Sequence, residues 1–372
     1  MLKTIYNNLV SFIENRLTSL HRMKMWGAEH YALLRKKKLY KNIQWNKKQK
    51  QEFDEFWKKH YGKKITSKGH KLYESINGTH HKDYFPDFLF ATKLELKLNN
   101  YIYGRIYSDK SLTELLYSKN KDFKMPQTYL LNSGGVWYNN NRNVISIKKV
   151  KLKIKDLGEC IIKPTVGGNS GKGVIFCNFQ KGIDYNKKTT IEELLNSKTT
   201  DFIIQEKMTQ HSSFSTLYPH SINTIRIITY IVKGEVHHAK LCLRMGTGGN
   251  KLDNIHSGGL VIGLNDNGLL LEQAFQLGYS DSSITMNKHP DTKVKFKNYQ
   301  LTSIPEVIKI AKNLHGSTPH VGIISWDYMV NKSGEPVLIE ANYIGQSIWF
   351  PQIVHKEPFF GEHTAYMINF IK

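Results

Sequence analysis

The spacing of apolar residues near the start of the chain follows a helical period. Apolar side chains recur every three or four positions over the first twenty residues and would share one face of an amphipathic helix: Leu2, Ile5, Tyr6, Leu9, Ile13, Leu17 and Leu20. Helical patterns continue over residues 28–45 and 49–62, whereas SINGTHHKDYFPDF (75–88) is typical of a loop. We therefore predict a helical N-terminal region over residues 1–78.

From about residue 126 the apolar pattern becomes that of β-strands. Segments rich in β-branched and aromatic residues predict strands at 127–132, 159–165, 173–179, 201–208, 224–232, 235–245, 320–330 and 336–342. Helices are predicted at residues 111–118, 190–196 and 304–314. Short turns join several of the strands, so we expect an α+β fold with largely antiparallel strands.

Positive charge is concentrated near the start of the chain. The sequence has 53 Lys and Arg against 31 Asp and Glu, a formal net charge of +22, and residues 1–72 hold 18 basic against 5 acidic side chains. Such a charge attracts polyanions or an anionic membrane surface, although a solvated basic region has the same composition. The three cysteines are too few for a disulfide framework, and Cys160 and Cys177 lie in apolar runs typical of buried packing. No apolar stretch reaches the length of a membrane span and no signal peptide pattern is present, so we expect a cytoplasmic protein.

The glycine-rich segment IIKPTVGGNSGKGVIF (161–176) has the composition of a phosphate-binding loop. It is not a Walker A loop, which would need glycine in place of Val166 and Ser or Thr in place of Gly173. The segment joins two predicted strands, so we expect a β-hairpin whose backbone N–H groups cover a triphosphate. Lys163 on the first strand would reach phosphate oxygens. Composition alone leaves a flexible surface hairpin as the alternative.

A second candidate site lies in GIISWDYMVNKSGEPVLIEANYIGQS, where two predicted strands flank the turn 331–334. A four-residue connection would pair Asp327 with Leu338. The alternation of side chains would then place Asp327, Leu338, Glu340 and Asn342 on one face. Two carboxylates and an amide oxygen are hard ligands of the kind that a Mg²⁺–triphosphate complex requires.

Together these motifs resemble the ATP-grasp superfamily over roughly residues 85–372. The resemblance rests on IIKP with its glycine-rich loop, on IIQEKM, on an Asp followed thirteen residues later by Glu-x-Asn, and on the upstream segment SDKSLTELLYSKNKDFKMPQTYLL. It implies an ATP-grasp fold, in which two α+β subdomains clasp ATP, behind the helical region 1–78. Residues 79–158 would precede the lid, residues 159–210 would form the lid and the adenine hinge, and residues 211–372 would form the metal- and substrate-binding subdomain.

The resemblance also implies roles for individual residues. ATP would be bound by Lys110, Lys163, Gly167, Gly168, Ser170, Gly171, Gln205, Glu206, Lys207 and Met208, the hinge residues acting largely through their backbone. Asp327, Glu340 and Asn342 would hold two Mg²⁺ ions. Related peptide ligases have an arginine two residues before the metal-binding aspartate, where this chain has Ser325. Arg226 or Arg244 would then steady the transferred phosphate, and an ordinary strand-face arginine is the alternative for each.

More narrowly, YFPDFLFATKLELKLN, SINTIRI and LDNIHSGGL are similar to the sugar-transfer-associated ATP-grasp branch. The resemblance implies substrate contacts by Asn223, Asn254, Gly258 and Gly259. His256 would be a proton acceptor or a hydrogen-bonded loop histidine.

The implied activity is an ATP-dependent carboxylate–amine ligase of capsule or surface polysaccharide synthesis. It would join a uronic acid to an amino acid or amino alcohol through an acylphosphate. A kinase acting on a sugar or polyol hydroxyl is the first alternative, and a non-catalytic basic binding protein is the second. The N-terminal helices would contact a glycosyltransferase or the inner membrane surface, and nucleic acid is not an expected partner.

Overall fold

The computed structural model describes residues 2–167, 171–186, 189–190, 192–193, 201–277 and 283–372. The N-terminal region is helical, as predicted, with α1 at Leu2–Arg35, α2 at Lys37–Tyr40, α3 at Lys47–Tyr61 and α4 at Lys68–Asn77. The predicted loop at 75–88 is shorter than expected, because α4 continues through Asn77 and the next helix begins at Asp87.

Helix α3 shows how the sequence sets these boundaries. The side chain of Asn46 accepts a hydrogen bond from the Gln49 amide (2.9 Å) and the Gln49 side chain accepts one from the Asn46 amide (3.0 Å), which is a capping box. Phe53, Trp57 and Tyr61 follow at four-residue spacing on one buried face. The helix therefore packs through an aromatic stripe, while its lysines remain at the surface.

A second group of helices links this region to the sheets. It consists of α5 at Asp87–Leu89, a π-helical turn at Phe90–Leu94, α6 at Glu95–Leu98, α7 at Tyr101–Tyr107 and α8 at Thr113–Tyr117. Helix α8 confirms the helix predicted at 111–118. The π-helical turn sits directly before Glu95, and such turns often occur where a functional side chain must be re-aimed.

The first sheet has the strand order β2-β1-β7-β3-β4-β5-β6, with antiparallel pairing throughout the described residues. Its strands are β1 Thr128–Ser133, β2 Val136–Asn139, β3 Gly158–Pro164, β4 Ile175–Gln180, β5 Ile183–Asp184, β6 Thr189–Thr190 and β7 Phe202–Glu206. Helix α9 (Ile147–Lys155) packs on this sheet. Cys160 and Cys177 pair across β3 and β4 and are buried in this core, as predicted. The helix predicted at 190–196 lies mostly outside the described residues.

The second sheet has the order β13-β12-β11-β10-β8-β14-β15, and β9 also pairs with β8. Its strands are β8 Thr224–Val232, β9 Glu235–His238, β10 Leu241–Met245, β11 Leu260–Leu264, β12 Leu270–Leu277, β13 Ser283–Met286, β14 Ile323–Val330 and β15 Pro336–Asn342. The single strand predicted at 235–245 is wrong, because β9 and β10 are separate strands that pair with different parts of β8. The remaining helical segments are α10 Ser212–Ser215, the 3₁₀ turn Ile255–Ser257, α11 Ile304–Gly316, α12 Trp349–His355, the 3₁₀ turn Gly361–His363 and α13 Thr364–Phe370.

The two faces of the second sheet have different partners. Helix α11 covers one face, where it packs on alternate residues of β8 and β14 such as Ile227 and Trp326. On the other face the aromatic stripe of α3 packs against Ile228 and Tyr230. The basic N-terminal region is therefore joined to the second sheet by a shared apolar core. Where that face is not covered by the helices, it opens toward the first sheet.

The predicted register of the β14–β15 hairpin is wrong, by one position near the turn and by two positions at Asp327. Leu338 lies opposite Tyr328, on the face that packs under α11, and not opposite Asp327. A β-bulge at Ile339 then shifts the pairing by one residue, so that Asp327 lies opposite Glu340 and Ser325 lies opposite Asn342. The bulge therefore keeps the three predicted metal ligands on one face while excluding Leu338 from it.

Candidate nucleotide and metal site

A cavity of about 620 Å³ lies between the two sheets. Strands β3, β4 and β7 line it from the first sheet, and β8, β10, β14 and β15 line it from the second. Most of the predicted site residues line this cleft: Lys110, Lys163, Gly171, Gln205, Glu206, Lys207, Met208, Arg226, Arg244, Asn254, Asp327, Glu340 and Asn342. Residues that are far apart in the sequence thus line one cleft.

Asp327 is the centre of a buried charge network. Arg226 lies opposite it across β8 and β14 and binds it through both oxygens, with Nε donating to Oδ1 (2.8 Å) and Nη2 to Oδ2 (2.7 Å). Nη2 of Arg244 lies 3.3 Å from Oδ2. Burial alone would raise the pKa of Asp327, but the two guanidinium groups more than offset this and hold the pKa below its usual value. Asp327 is therefore ionised, and both predicted arginines face the cleft.

Two further residues of this network were missed from the sequence. Thr224 accepts hydrogen bonds from Nε (2.9 Å) and Nη2 (2.8 Å) of Arg244, and its own hydroxyl donates to Asp253. Nε of Arg244 also lies 3.3 Å from a carboxylate oxygen of Asp253. Thr224 and Arg226 share a strand face two positions apart, which is the signal in SINTIRI that could have identified Thr224. The position of Asp253 depends on the fold of the loop before it and has no such signal.

Glu340 is balanced by lysines on the other side of the cleft. Nζ of Lys110 lies 3.0 Å from Oε1 of Glu340, and the backbone amide of Lys110 donates to the carbonyl of Thr165 (2.8 Å) at the end of β3. Nζ of Lys163 donates to the carbonyl of Ile339 (3.4 Å). Burial, together with the charge of Lys110, lowers the pKa of Lys163 to about 8, while Glu340 acts in the opposite direction. An anion with several negative charges would relieve the repulsion between the two lysines.

The donor set at the base of the cleft fits Mg²⁺ only together with a phosphate ligand. Asp327 and Glu340 face each other directly, and Asn342 adds an amide on the same strand face. Within the described part of the chain, no group of three or more His, Cys, Asp or Glu side chains is arranged to hold a metal ion. Two carboxylates and one amide oxygen leave coordination positions for phosphate oxygens, which is the usual arrangement of Mg²⁺ at a nucleotide.

The predicted adenine hinge, residues 205–208, includes the end of strand β7 and lies at the edge of the cleft. The Gln205 side chain is buried and turned away, with Nε2 donating to the hydroxyl of Thr128 (3.0 Å). Nζ of Lys207 points to Glu159 at the surface (2.5 Å). Strand β7 ends at Glu206, so the backbone of Lys207 and Met208 is outside the sheet ladder while it lines the cleft. This geometry agrees with recognition through the backbone.

The described end of the glycine-rich loop contacts the opposite subdomain. Gly171 has φ +76°, and a Cβ atom added there would lie 2.5 Å from a methyl group of Leu252. Nζ of Lys251 lies 5.8 Å from the centre of the Phe176 ring on β4. Gly167 is exposed, and Gly168 and Ser170 lie outside the described residues. The loop that carries Lys251 and Leu252 therefore meets the hairpin across the cleft.

The predicted substrate residues have different positions. Asn254 lines the cleft, and its backbone carbonyl accepts a hydrogen bond from Gly259 (3.0 Å). Asn223 is buried outside the cleft lining, where its amide donates to the carbonyls of Phe214 (2.7 Å) and Tyr218 (2.9 Å). Gly258 and Gly259 shape the turn before β11, and His256 lies in the 3₁₀ turn Ile255–Ser257. Substrate contact by these residues stays a prediction.

Comparison with known proteins identifies the family. A family model described as sugar-transfer associated ATP-grasp matches residues 89–366. The chain belongs to the sugar-transfer-associated ATP-grasp family. This confirms the resemblance stated from the motifs and the ATP-grasp fold, whereas the subdomain boundaries and residue roles stay predictions.

Solved structures similar to this ATP-grasp chain are distant. They include an L-amino acid ligase from Bacillus licheniformis (13% identity, TM-score 0.35, 67% of this chain and 43% of that one). An N5-carboxyaminoimidazole synthetase from Staphylococcus aureus complexed with ADP has 10% identity and a TM-score of 0.37 over 65% of this chain and 46% of that one. A D-alanine–D-alanine ligase from Bacillus anthracis has 13% identity and a TM-score of 0.39 over 73% and 68%.

The ATP-grasp chain thus spans less than half the length of the first two of these enzymes. No curated protein was found to be similar in sequence to it. Each helix in the described ranges is too short or too polar to cross a membrane.

Proposed function

We propose that this ATP-grasp protein is an ATP-dependent carboxylate–amine ligase that forms an amide through an acylphosphate. The observation that supports it most is the pair of opposed carboxylates in the cleft, Asp327 and Glu340, each held by cationic side chains from other elements. The lining carries more basic than acidic side chains, with Lys110, Lys163, Lys207, Arg226, Arg244 and Lys251 against Glu206, Asp253, Asp327 and Glu340. Such a cleft suits a triphosphate together with an anionic acceptor.

The proposed reaction has two steps. An acceptor carboxylate oxygen attacks the γ-phosphorus, the bond to the β-phosphate oxygen breaks, and ADP leaves with that electron pair. The amine nitrogen then attacks the acyl carbon and loses a proton, and the bond from carbon to the phosphate oxygen breaks to release inorganic phosphate. Charge develops on the transferred phosphoryl group and on the tetrahedral carbon, so fixed cations accelerate both steps.

The chain's own residues have distinct tasks in this scheme. Lys110 and Lys163 bind phosphate oxygens from the side of the first sheet. Arg226 and Arg244 stabilise the transferred phosphoryl group from the second sheet, in place of an arginine at Ser325. Mg²⁺ held by Asp327, Glu340 and Asn342 would supply further charge neutralisation on the phosphate oxygens. Because Asp327 fixes both guanidinium groups before any ligand binds, this part of the site is preorganised.

We propose a hexuronic acid as the carboxylate substrate and an amino acid or amino alcohol as the amine, in capsule or surface polysaccharide synthesis. The family description, sugar-transfer associated, supports a saccharide acceptor. The net charge of +22 suits an acidic glycan or sugar nucleotide. Attachment of the basic N-terminal helices to the inner membrane surface or to a glycosyltransferase is part of the same proposal.

The test is ³¹P NMR of the protein with Mg²⁺-ATP, a mixture of uronic acids and a mixture of amines. We expect ADP and inorganic phosphate only when both substrate classes are present. Glu340→Gln should abolish turnover, whereas Glu335→Gln, an exposed carboxylate on the same hairpin, should keep it. A new phosphoester signal instead of inorganic phosphate would replace the ligase with the kinase alternative, and a reaction independent of the amine would contradict the proposal.

A further inference from the structure

A second cavity of about 520 Å³ lies beside the nucleotide cleft. Its walls come from α1, the segment 61–66, α4, the helical stretch 86–95 and the segment that follows β15. Gly345 and Ser347 line both cavities, so a single stretch of backbone separates them. A molecule in the second cavity would therefore lie next to the predicted metal ligands at the end of β15. We refer to the second cavity as the side chamber.

The side chamber contains a cluster of carboxylates. Three carboxylates, Glu29, Asp87 and Glu95, line it close enough to influence one another, and burial raises their pKa values to about 8, 6 and 7 respectively. The hydroxyl of Tyr73 donates to Asp87 (2.6 Å). Lys36 offsets part of this charge, while its Nζ lies 5.3 Å from the centre of the Trp349 ring. Of the four lysines in the described lining, Lys63, Lys64 and Lys93 are exposed, so Lys36 is the one that lies among the three carboxylates.

Glu95 carries an unsatisfied acceptor. The side chain is 2% exposed, and Oε1 accepts hydrogen bonds from the backbone amides of Gly345 (2.6 Å) and Gln346 (3.3 Å). Oε2 is buried and accepts no hydrogen bond from any described residue. A buried carboxylate oxygen without a donor is costly, and a ligand that brings an N–H group would remove that cost. The same carboxylate fixes the backbone that separates the two cavities.

The rest of the chamber wall is apolar. Leu33 of α1, Leu72 and Ile76 of α4, and Trp349 at the start of α12 line it. A ligand that fits must therefore combine a positively charged donor with a short apolar body. Asp87 and the ionised fraction of Glu95 disfavour an anionic acceptor beside them in the chamber, whereas the lysines and arginines of the cleft attract it.

We propose that the side chamber binds the amine substrate as a primary ammonium ion, with Glu95 accepting its hydrogen bond and Asp87 balancing its charge. This inference rests on the ligase function proposed above and names the site of its second substrate. Before the amine attacks, the ammonium gives one proton to a carboxylate. The neutral amine then passes Gly345 and Ser347 into the cleft, where its nitrogen lone pair forms the C–N bond. Glu95 titrates near neutral pH and is suited to take that proton.

The test measures amine binding without turnover. Butylammonium chloride is titrated into the full-length protein at pH 7 and followed by ligand-observed NMR, with 1-butanol and butyrate as neutral and anionic comparisons. We expect butylammonium to bind and 1-butanol and butyrate not to bind. Glu95→Gln and Asp87→Asn should each weaken it about tenfold or more, because they remove charge and keep side-chain size. Glu335→Gln should not weaken it, and ADP affinity should be the same in all four proteins.

A second variant tests the chamber without touching its carboxylates. Ala32→Phe places a ring in the cavity from α1 and should block butylammonium while leaving ADP affinity unchanged. Failure of butylammonium to bind the wild-type protein, or equal binding by Glu95→Gln and Glu335→Gln, would overturn the inference.

The same variants separate this inference from the ligase proposal. Suppose that butylammonium binds and loses its binding in Glu95→Gln while no amide forms with any substrate. That result would support an ammonium site in the side chamber and contradict the ligase proposal. If amide forms and the KM for the amine is unchanged in Glu95→Gln, the ligase proposal is supported and the proposed amine site in the side chamber is contradicted.

Discussion

Replacing Lys163 with methionine should change nucleotide affinity and protein stability in opposite directions. Lys163 is partly buried at the end of β3 with Lys110 as a neighbouring cation, and its pKa is about 8. The unfolded chain has a lysine pKa near ~10.4. Below pH 8 the charged lysine therefore costs the folded protein on the order of 3 kcal/mol, and solvent in the open cleft reduces this to about 1–2 kcal/mol.

Lys163→Met keeps the length of the side chain and removes the charge. We expect the free energy of unfolding to rise by about 1–2 kcal/mol at pH 7 without nucleotide. This gain should fade between pH 8 and about pH 10.4, because the wild-type lysine loses its proton in that window in the folded state first. ADP with Mg²⁺ should bind about 10- to 100-fold more weakly, since a charge-assisted hydrogen bond to phosphate is worth about 1.5–3 kcal/mol.

The assays are urea denaturation at several pH values and isothermal titration with Mg²⁺-ADP. Lys207→Met is the matched control, because Lys207 lines the same cleft while its Nζ pairs with Glu159 at the surface. An exposed pair of this kind contributes at most about 1 kcal/mol, so both quantities should change little. Unchanged ADP affinity in Lys163→Met, or a loss of stability at pH 7, would refute the reasoning.

Three other variants test the charge network around Asp327, the buried His315 and the contact between Gly171 and Leu252. Asp327→Asn should lower the free energy of unfolding by about 3–5 kcal/mol in urea denaturation, because its two arginine partners lose their buried counter-charge. Burial lowers the pKa of His315 to about 4, so the unfolded chain binds more protons below pH 6.5. Stability should fall with acid between pH 6.5 and 4, and His315→Gln should reduce that slope by up to about 1.4 kcal/mol per pH unit. Gly171→Ala should weaken Mg²⁺-ADP binding about tenfold or more, because φ is +76° and the new methyl group would meet Leu252.

Matched controls apply to each of these variants. Glu335→Gln removes an exposed carboxylate and should leave the free energy of unfolding almost unchanged, and an equally small change in Asp327→Asn would contradict the buried network. If the free energy of unfolding falls equally steeply with acid in His315→Gln and in the wild type, His315 does not contribute to the acid sensitivity. Gly135→Ala has the same backbone strain, with φ +86° and open space around the added atom. Equal ADP affinity in Gly135→Ala and Gly171→Ala would show that the contact with Leu252 is unimportant.

The sequence predicted the structure best where a feature depends on a single strand or helix. The bounds of β8 and β15 agree with the apolar runs at 224–232 and 336–342, because continuous β-branched stretches of that length have few other solutions. The register of the β14–β15 hairpin was not predictable, since the connection has five residues (331–335) and not four, and a bulge at Ile339 adds one more residue that turn length does not reveal.

Features that need several elements at once were not visible in the sequence. The helix at 49–62 was predicted, but nothing in the sequence identified Ile228 and Tyr230 as the residues that it packs against. Asp253 reaches Thr224 only because a loop folds over the end of β8. The side chamber depends on segments from both ends of the chain, so its cluster of carboxylates has no local pattern.

The most direct test of the ligase reaction follows the oxygen atoms of the acceptor. A uronic acid with an ¹⁸O-labelled carboxylate is incubated with the protein, Mg²⁺-ATP and an amine, and the released phosphate is analysed by ³¹P NMR. An acylphosphate intermediate predicts one ¹⁸O atom in each inorganic phosphate, with the other retained in the amide. Unlabelled phosphate, or label retained entirely in a phosphorylated sugar, would contradict the account.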